Sequence, residues 1–165
     1  MAISIFEAPR WVGLMGKKIR DAGERGLLSA AIRTVAHIQT EVIPREPRIP
    51  VDRGIYRAGW RAVKIPKGAM VINTVPHAVL IEYGVRASNV KAGRKMIEAL
   101  TAWVKRKGFG GKKGADAASI AWAIAMSMKK KGIFDGGKGL HILGKASKKI
   151  PQFIDEEIGR EIGRI

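Results

Sequence analysis

Few residues in this chain have the types and spacing that chemistry requires. Residues Gly132 to Gly139 read Gly-Ile-Phe-Asp-Gly-Gly-Lys-Gly, which is close to a phosphate-binding loop. Gly139, however, stands where such a loop needs a Ser or Thr hydroxyl to bind Mg²⁺. The segment also follows a predicted helix instead of a strand. We therefore predict a mobile connection here and no nucleotide site.

The histidines and carboxylates do not form a catalytic pattern either. His37, His77 and His141 lack metal-ligand spacing, and the chain has no cysteine. Asp155, Glu156 and Glu157 are consecutive, so a helix would splay them apart. We expect no enzymatic activity, metal, cofactor or small-molecule substrate, and a hydrolase or nuclease is the least favoured of the three function classes considered.

Positive charge is the most informative feature of the sequence. The chain has 165 residues, with 31 Lys and Arg against 14 Asp and Glu, which gives a net charge of +17. Twelve of the basic residues and only two acidic ones lie between Lys105 and Lys149. This pattern predicts a surface that meets a polyanion, either DNA or an acidic protein, while a solvated surface that only aids solubility is the alternative. The residues assigned to the contact are Lys105, Arg106, Lys107, Lys112, Lys113, Lys129, Lys130, Lys131 and Lys138.

Hydrophobic periodicity predicts one α+β domain over residues 1–165, with a small hairpin-based antiparallel sheet packed with long α-helices. Asp116 is a candidate N-cap and Gly132 a candidate helix end. The predicted order is an N-terminal arm (1–26), a helix (27–43), a proline-rich turn region (44–57), a β-hairpin and short turn (58–84), two helices joined by a Gly/Lys loop (90–131) and a C-terminal helix (151–165).

Several single residues carry further expectations. Trp60, Trp103 and Trp122 are predicted to lie in the core, whereas Trp11 belongs to a glycine-punctuated arm that could dock on a neighbouring subunit or pack within its own. Gly159 and Gly163 are expected either to permit a close backbone contact or to mark a fraying end. Glu156 and Glu157 are expected to meet the basic surface of an adjacent copy.

The chain carries no pattern typical of membrane insertion or secretion. The N-terminus lacks the basic start and long apolar stretch of a signal peptide. The longest nearly apolar segment, Ala117 to Met128, would reach roughly 18 Å as a helix against a hydrocarbon core of about 30 Å. We expect a protein that neither spans a membrane nor is secreted.

Two segments resemble the paired signature of a known family. Pro50 to Trp60 and Asn73 to Gly84 are similar to the signature of tailed-bacteriophage tail-completion or neck proteins, a family that includes minor tail protein Z. The chain departs from the family pattern at Arg53, Tyr56, Gly59, His77 and Val85. The matching positions are Pro50, Asp52, Gly54, Pro76, Ala78, Glu82, Tyr83 and Gly84.

The residues of the signature also carry local expectations. Asp52 can cap a turn of helix that begins near Gly54 and orients Tyr56 and Trp60 into the hairpin. Glu82 and Tyr83 are expected to follow the second strand directly. The Glu82 carboxylate could then bond backbone amides within the subunit or an Arg on the next subunit.

The resemblance implies a structural role at the junction between phage head and tail. It implies a virion protein that is assembled in the host cytoplasm and forms a homo-oligomeric ring, six-fold being favoured. Its neighbours would be head-completion or connector proteins and tail-terminator or tail-tube proteins, with DNA in the channel as a further contact. Candidate subunit contacts are Trp11, Glu82, Tyr83, Glu156 and Glu157. The alternative is a free, sequence-nonspecific nucleic-acid-binding protein.

Overall fold

A computed structural model describes residues 8–46, 54–109 and 116–165. The chain divides into two compact units, where the sequence predicted one domain. The first unit comprises residues 1–46, 56–74 and 143–165, and the second comprises residues 47–55 and 75–142. Each unit is discontinuous in sequence, so no single linker composition marks the boundary between them.

The fold class is α+β, as predicted. The structure is 67% helical and contains a two-stranded antiparallel sheet. The helices are α1 (Ala8–His37), α2 (Ile55–Ala58), α3 (Ala78–Tyr83), α4 (Arg94–Lys107), α5 (Ala117–Lys131), α6 (Ile142–Ser147) and α7 (Ile150–Ile162), and the strands are β1 (Trp60–Ile65) and β2 (Gly68–Asn73).

Helix α1 is the longest element of the first unit and packs against α7, β1 and β2. It continues through one π-helical turn, Ile38–Val42, in which the amide of Ile43 donates to the carbonyl of Ile38 over 2.9 Å. The helix begins at Ala8, so most of the expected N-terminal arm is helical. Periodicity missed this part because its glycines weaken the pattern, yet Ala22 and Gly26 are buried.

At Gly26 the backbones of α1 and α7 approach closely. A Cβ atom at Gly26 would lie 2.8 Å from the Cα of Ile158. The two glycines that the sequence assigned to such a contact do not make it: Gly159 has no such neighbour within 4 Å, and Gly163 meets only carbonyls of its own helix. The sequence placed the glycine of this contact on α7, but the glycine that permits it is Gly26 on α1.

The predicted β-hairpin is confirmed, with Trp60 opposite Asn73 and Ile65 opposite Gly68. Its two-residue turn is Pro66-Lys67, and Lys67 adopts a φ of 61°. Trp60 is buried, as predicted, and its ring lies edge-on to Tyr56 at 5.9 Å between centroids. Asn73 donates from Nδ2 to the carbonyl of Tyr56 over 3.0 Å, so the short helix α2 is held against the end of the hairpin.

In the second unit, α4 and α5 pack against each other, and α5 also contacts a 3₁₀ turn at Ala87–Asn89. Asp116 caps α5 by accepting from the backbone N–H of Ser119 over 2.7 Å, and α5 ends before Gly132, both as predicted. Ala121 and Ala125 form the buried centre of its apolar stripe. Trp103 is only half-buried, and Trp122, predicted to lie in the core, is 56% exposed.

Candidate interaction surfaces

The first of the two segments that resemble the phage-family signature includes α2. Pro50 and Asp52 fall outside the described residues, so the expected Asp52 cap is not described. Gly54 has a φ of 65° and precedes the single helical turn that was expected there. Tyr56 follows and is 3% exposed. The described part of this segment, residues 54–60, therefore supplies packing for the hairpin.

The second half of the signature forms α3, not the end of a strand. After β2 ends at Asn73, Pro76 lies in a turn, and α3 then begins at Ala78. Ala78 and Ile81 are buried, while Val79 and Tyr83 are each 63% exposed. The expectation that Glu82 and Tyr83 follow the strand directly is wrong, because both residues lie at the end of this six-residue helix. Helical spacing places its buried and its exposed apolar residues on opposite sides.

Gly84 and Gly139 meet at a close backbone junction. Gly84 has a φ of 69°, and a Cβ there would lie 2.5 Å from the amide nitrogen of Gly139. A Cβ on Gly139 would lie 2.1 Å from the carbonyl oxygen of Glu82. The amides of Leu140 and His141 donate to the carbonyls of Ile81 and Glu82 over 2.8 and 3.1 Å. Only glycine fits these two positions without displacing backbone.

The segment from Gly132 to Gly139 is therefore a packed loop, and the predicted mobile connection is wrong. Ile133 forms an antiparallel bridge with Val85, with N···O distances of 2.8 and 3.0 Å. Gly137 packs so closely that a Cβ there would lie 2.8 Å from the Cα of Arg86. Main-chain hydrogen bonds within the loop join Gly137 and Gly139 to Phe134. No phosphate-binding role is needed to explain its glycines.

This packing collects five cations, which we call the α5-end cluster. Lys129, Lys130 and Lys131 form the last turn of α5, and the bridge between Ile133 and Val85 brings the neighbouring Arg86 to that end. Lys138 follows Gly137, which lies against the backbone of Arg86. All five side chains are exposed, and none pairs with a carboxylate in the described parts of the chain. The members are Arg86, Lys129, Lys130, Lys131 and Lys138.

Three further predicted cations of the second unit are described, and they lie on α4. Lys105, Arg106 and Lys107 form the last turn of α4, and Lys112 and Lys113 fall outside the described residues. Only four residues separate the 3₁₀ turn at Ala87–Asn89 from α4, so α4 begins near the end of α5. The two helices pack against each other. The α4 cations thus belong to a different helix end from the α5-end cluster.

Arg86 is the member of the cluster that sequence reasoning missed. It stands alone among uncharged residues in the sequence, and only the pairing of Val85 with Ile133 brings it to Lys131. A two-residue bridge between segments this far apart has no periodic signal in the sequence. The basic residues beyond Leu143, in turn, belong to the first unit, where Lys145 forms an ion pair with Glu46.

Glu156 and Glu157, expected at a subunit interface, have partners within their own unit. Arg33 bonds both carboxylates, and Arg160 donates to Glu157 over 2.7 Å. Hydrogen bonds from Gln152 and Arg33 hold the pKa of Glu156 below its usual value. Glu157 is 7% exposed, so little of its carboxylate is open to an adjacent copy. The carboxylates that were expected to meet an adjacent copy are thus already bonded within the subunit, and that contact stays a prediction.

The other candidate contacts differ in what the structure describes. The Trp11 side chain lies outside the described residues, although its backbone belongs to α1. Tyr83 presents its ring to solvent, and His141 lies edge-on to it at 6.4 Å between centroids. Glu82 is partly exposed and already interacts with another group of the protein.

We searched the described residues for groups of side chains that could bind a metal ion and for helices that could span a membrane. Among residues 8–46, 54–109 and 116–165, no three His, Asp or Glu side chains are grouped closely enough to hold a metal ion. No helix in the same ranges is long and apolar enough to cross a bilayer. The two surfaces that stand out are the apolar outer side of α3 and the α5-end cluster.

No known protein family, curated protein or solved structure matches this chain. The assignment of function therefore depends on the signature residues and on these two surfaces.

Proposed function

We propose that this chain is a structural protein of the head–tail junction of a tailed bacteriophage, where copies of it form a ring that joins tail to head. Its neighbours in this proposal are a head-completion or connector protein on one side and a tail-terminator or tail-tube protein on the other. The protein is assembled in the host cytoplasm and remains in the virion. The proposed role is structural and requires neither catalysis nor a cofactor.

The observation that carries the proposal is the outer side of α3, which the second half of the signature forms. Val79, Leu80 and Tyr83 are 63%, 42% and 63% exposed, although the helix has only six residues. Three large apolar side chains on so short a helix are typical of a surface that a partner covers. In a closed ring, each such contact is repeated around the symmetry axis, so individually weak contacts add up.

The ring is tested by native mass spectrometry of the isolated protein with Val79→Lys. A lysine in the centre of this surface would place a charge inside the contact, so we expect loss of the ring and an unchanged circular dichroism spectrum. Ile32→Lys is the matched control, because Ile32 is 55% exposed on α1, outside the signature. A ring that survives Val79→Lys, or one that Ile32→Lys disrupts equally, contradicts the assignment of the contact to α3.

The location is tested by interrupting the coding sequence with an amber codon in its phage. We expect filled heads and finished tails that remain separate in electron micrographs, with joining restored in a suppressor host. Joined, infectious particles that lack the protein would contradict the proposed function.

A further inference from the structure

The α5-end cluster brings together cations from three separate segments. Lys129 to Lys131 come from the last turn of α5, Arg86 from the segment after α3, and Lys138 from the glycine loop. Main-chain bonds and close glycine packing hold these segments together, so the cations are positioned without using their own side chains. One acidic residue, Asp135, belongs to the same loop, which leaves the cluster strongly positive.

A purely local explanation accounts for only part of this cluster. Cations in the last turn of a helix are favoured by its dipole, which explains Lys129, Lys130 and Lys131. Arg86 and Lys138 are not on α5, so the dipole gives no reason for their presence. Carboxylates of the first unit pair with cations, for example Glu24 with Lys64 and Glu161 with Arg25, whereas the described carboxylates of the second unit leave this cluster unpaired.

We infer that the α5-end cluster binds the sugar–phosphate backbone of duplex DNA without reading its sequence. Four of the five cations are lysines. The flexible, compact charge of lysine suits phosphates, and lysine residues are depleted in protein–protein interfaces. An acidic protein partner would favour arginines and apolar anchors in place of a lysine-rich surface. Phe134 of the same loop is half-buried and the exposed ring of Tyr83 belongs to the α3 surface, so the contact we infer is with the phosphates of a duplex and not with stacked, unpaired bases.

The α4 cations provide a matched control inside the same unit. Lys105, Arg106 and Lys107 also form the last turn of a helix and carry the same charge, but Arg106 and Lys107 already interact with other groups of the protein. Neutralising either triplet changes the net charge equally. A general attraction of DNA to a basic protein would therefore respond equally to both changes, while a localised site would respond to only one.

The experiment measures binding of a fluorescent 30-base-pair duplex of arbitrary sequence to the full chain by anisotropy, across a range of salt concentrations. With four or five phosphate contacts, log K should fall with log salt with a slope of about −4. Replacing Lys129, Lys130 and Lys131 by Gln should lower affinity at least tenfold and reduce the slope by about 2 to 3. The same replacement of Lys105, Arg106 and Lys107 should lower affinity by less than threefold.

A second pair of variants guards against misfolding of α5. Arg86→Gln with Lys138→Gln leaves α5 intact and should reduce the slope by about 2, whereas Lys17→Gln with Lys18→Gln removes the same charge from α1 and should leave it unchanged. Three results would each overturn the inference. The first is an equal loss of affinity from both triplets, and the second is no binding of DNA by the unaltered protein. The third is competition by poly-glutamate that is as effective as competition by DNA at equal charge. The inference does not depend on the proposed place at the head–tail junction, because binding is measured with the isolated protein.

Discussion

Arg25 donates from Nε to Oε2 of Glu161 over 2.7 Å, which joins two residues 136 positions apart in the chain. Glu161 lies on α7, and its side chain is 12% exposed. Arg164 also bonds this carboxylate from the last residues of the chain. Together with Arg33 and its two glutamates, this pair connects the first and last helices of the first unit by charge as well as by apolar packing.

This ion pair predicts a loss of stability in acid. The hydrogen bond from Arg25 holds the pKa of Glu161 below its ordinary 4.5, and Glu156 is shifted in the same direction. A carboxyl whose pKa is lower in the folded state stabilises the fold above its unfolded pKa, and that contribution disappears as the pH falls through the folded pKa. We expect the urea midpoint to fall steadily below about pH 4.5.

Glu161→Gln tests the assignment of this pH dependence. The variant should be less stable than the unaltered protein at pH 7, and the difference should shrink towards pH 3, because the unaltered carboxyl is then protonated too. Glu98→Gln is the control, since Glu98 pairs only at the exposed surface of α4 with Arg94. A constant difference across the pH range would show that Glu161 acts through its shape and not through its charge.

The close approach of α1 to α7 predicts opposite effects at two neighbouring glycines. Gly26→Ala would place a Cβ 2.8 Å from the backbone of Ile158 and should destabilise the fold by about 1–3 kcal/mol. Gly23→Ala meets no such atom within 4 Å and should stabilise the helix by about 0.5–1 kcal/mol. Thermal unfolding of the two variants checks the pair, and equal shifts would contradict the packing described at Gly26.

The glycine junction of the second unit gives a similar contrast. Gly139→Ala combines a φ of 83° with a Cβ 2.1 Å from the carbonyl of Glu82, so we expect a loss of about 3 kcal/mol or more. Gly93→Ala, at the start of α4, has no such neighbour within 4 Å and should stay within about 0.5 kcal/mol. Hydrogen exchange at the amides of Leu140 and His141 should accelerate only in the first variant.

Two tryptophans with opposite environments provide the last prediction. Trp60→Ala removes a buried side chain that contacts Tyr56 and should cost about 3–5 kcal/mol. Trp122→Ala removes a side chain that is 56% exposed and should change stability by no more than about 0.5 kcal/mol. Urea denaturation separates the two cases. A large loss at Trp122 would mean that the ring is buried in solution, as it would be in a tight oligomer.

Local signals were sufficient for the hairpin and the paired helices. Helix α5 begins after Asp116 and ends before Gly132, as expected, because a cap and a helix-ending glycine act on their immediate neighbours. Residues 8 to 26 were missed because their glycines weaken the apolar pattern, and contacts with the distant α7 stabilise the helix there. Trp122 was misplaced because position within a mostly apolar helix does not reveal which sides a neighbour covers.

The candidate surfaces show the same contrast between local signals, which the sequence contains, and contacts between distant segments, which it does not reveal. The lysines of the α5-end cluster were identified from composition, but Arg86 joins them through a bridge between residues far apart in the chain. Glu157 was assigned to an interface because its charge was visible in the sequence, whereas its partner Arg33 becomes visible only when α1 and α7 are packed. Charge can be counted from a sequence, but its pairing depends on tertiary structure.

The junction between residues 81–86 and 132–141 is built from main-chain atoms and glycines, so its architecture does not depend on which side chains it displays. Substitutions at Arg86 or Lys138 can change the electrostatic field of this surface and leave its geometry intact. The loop is therefore a site where recognition can be reprogrammed, by evolution or by a protein engineer, independently of the rest of the fold.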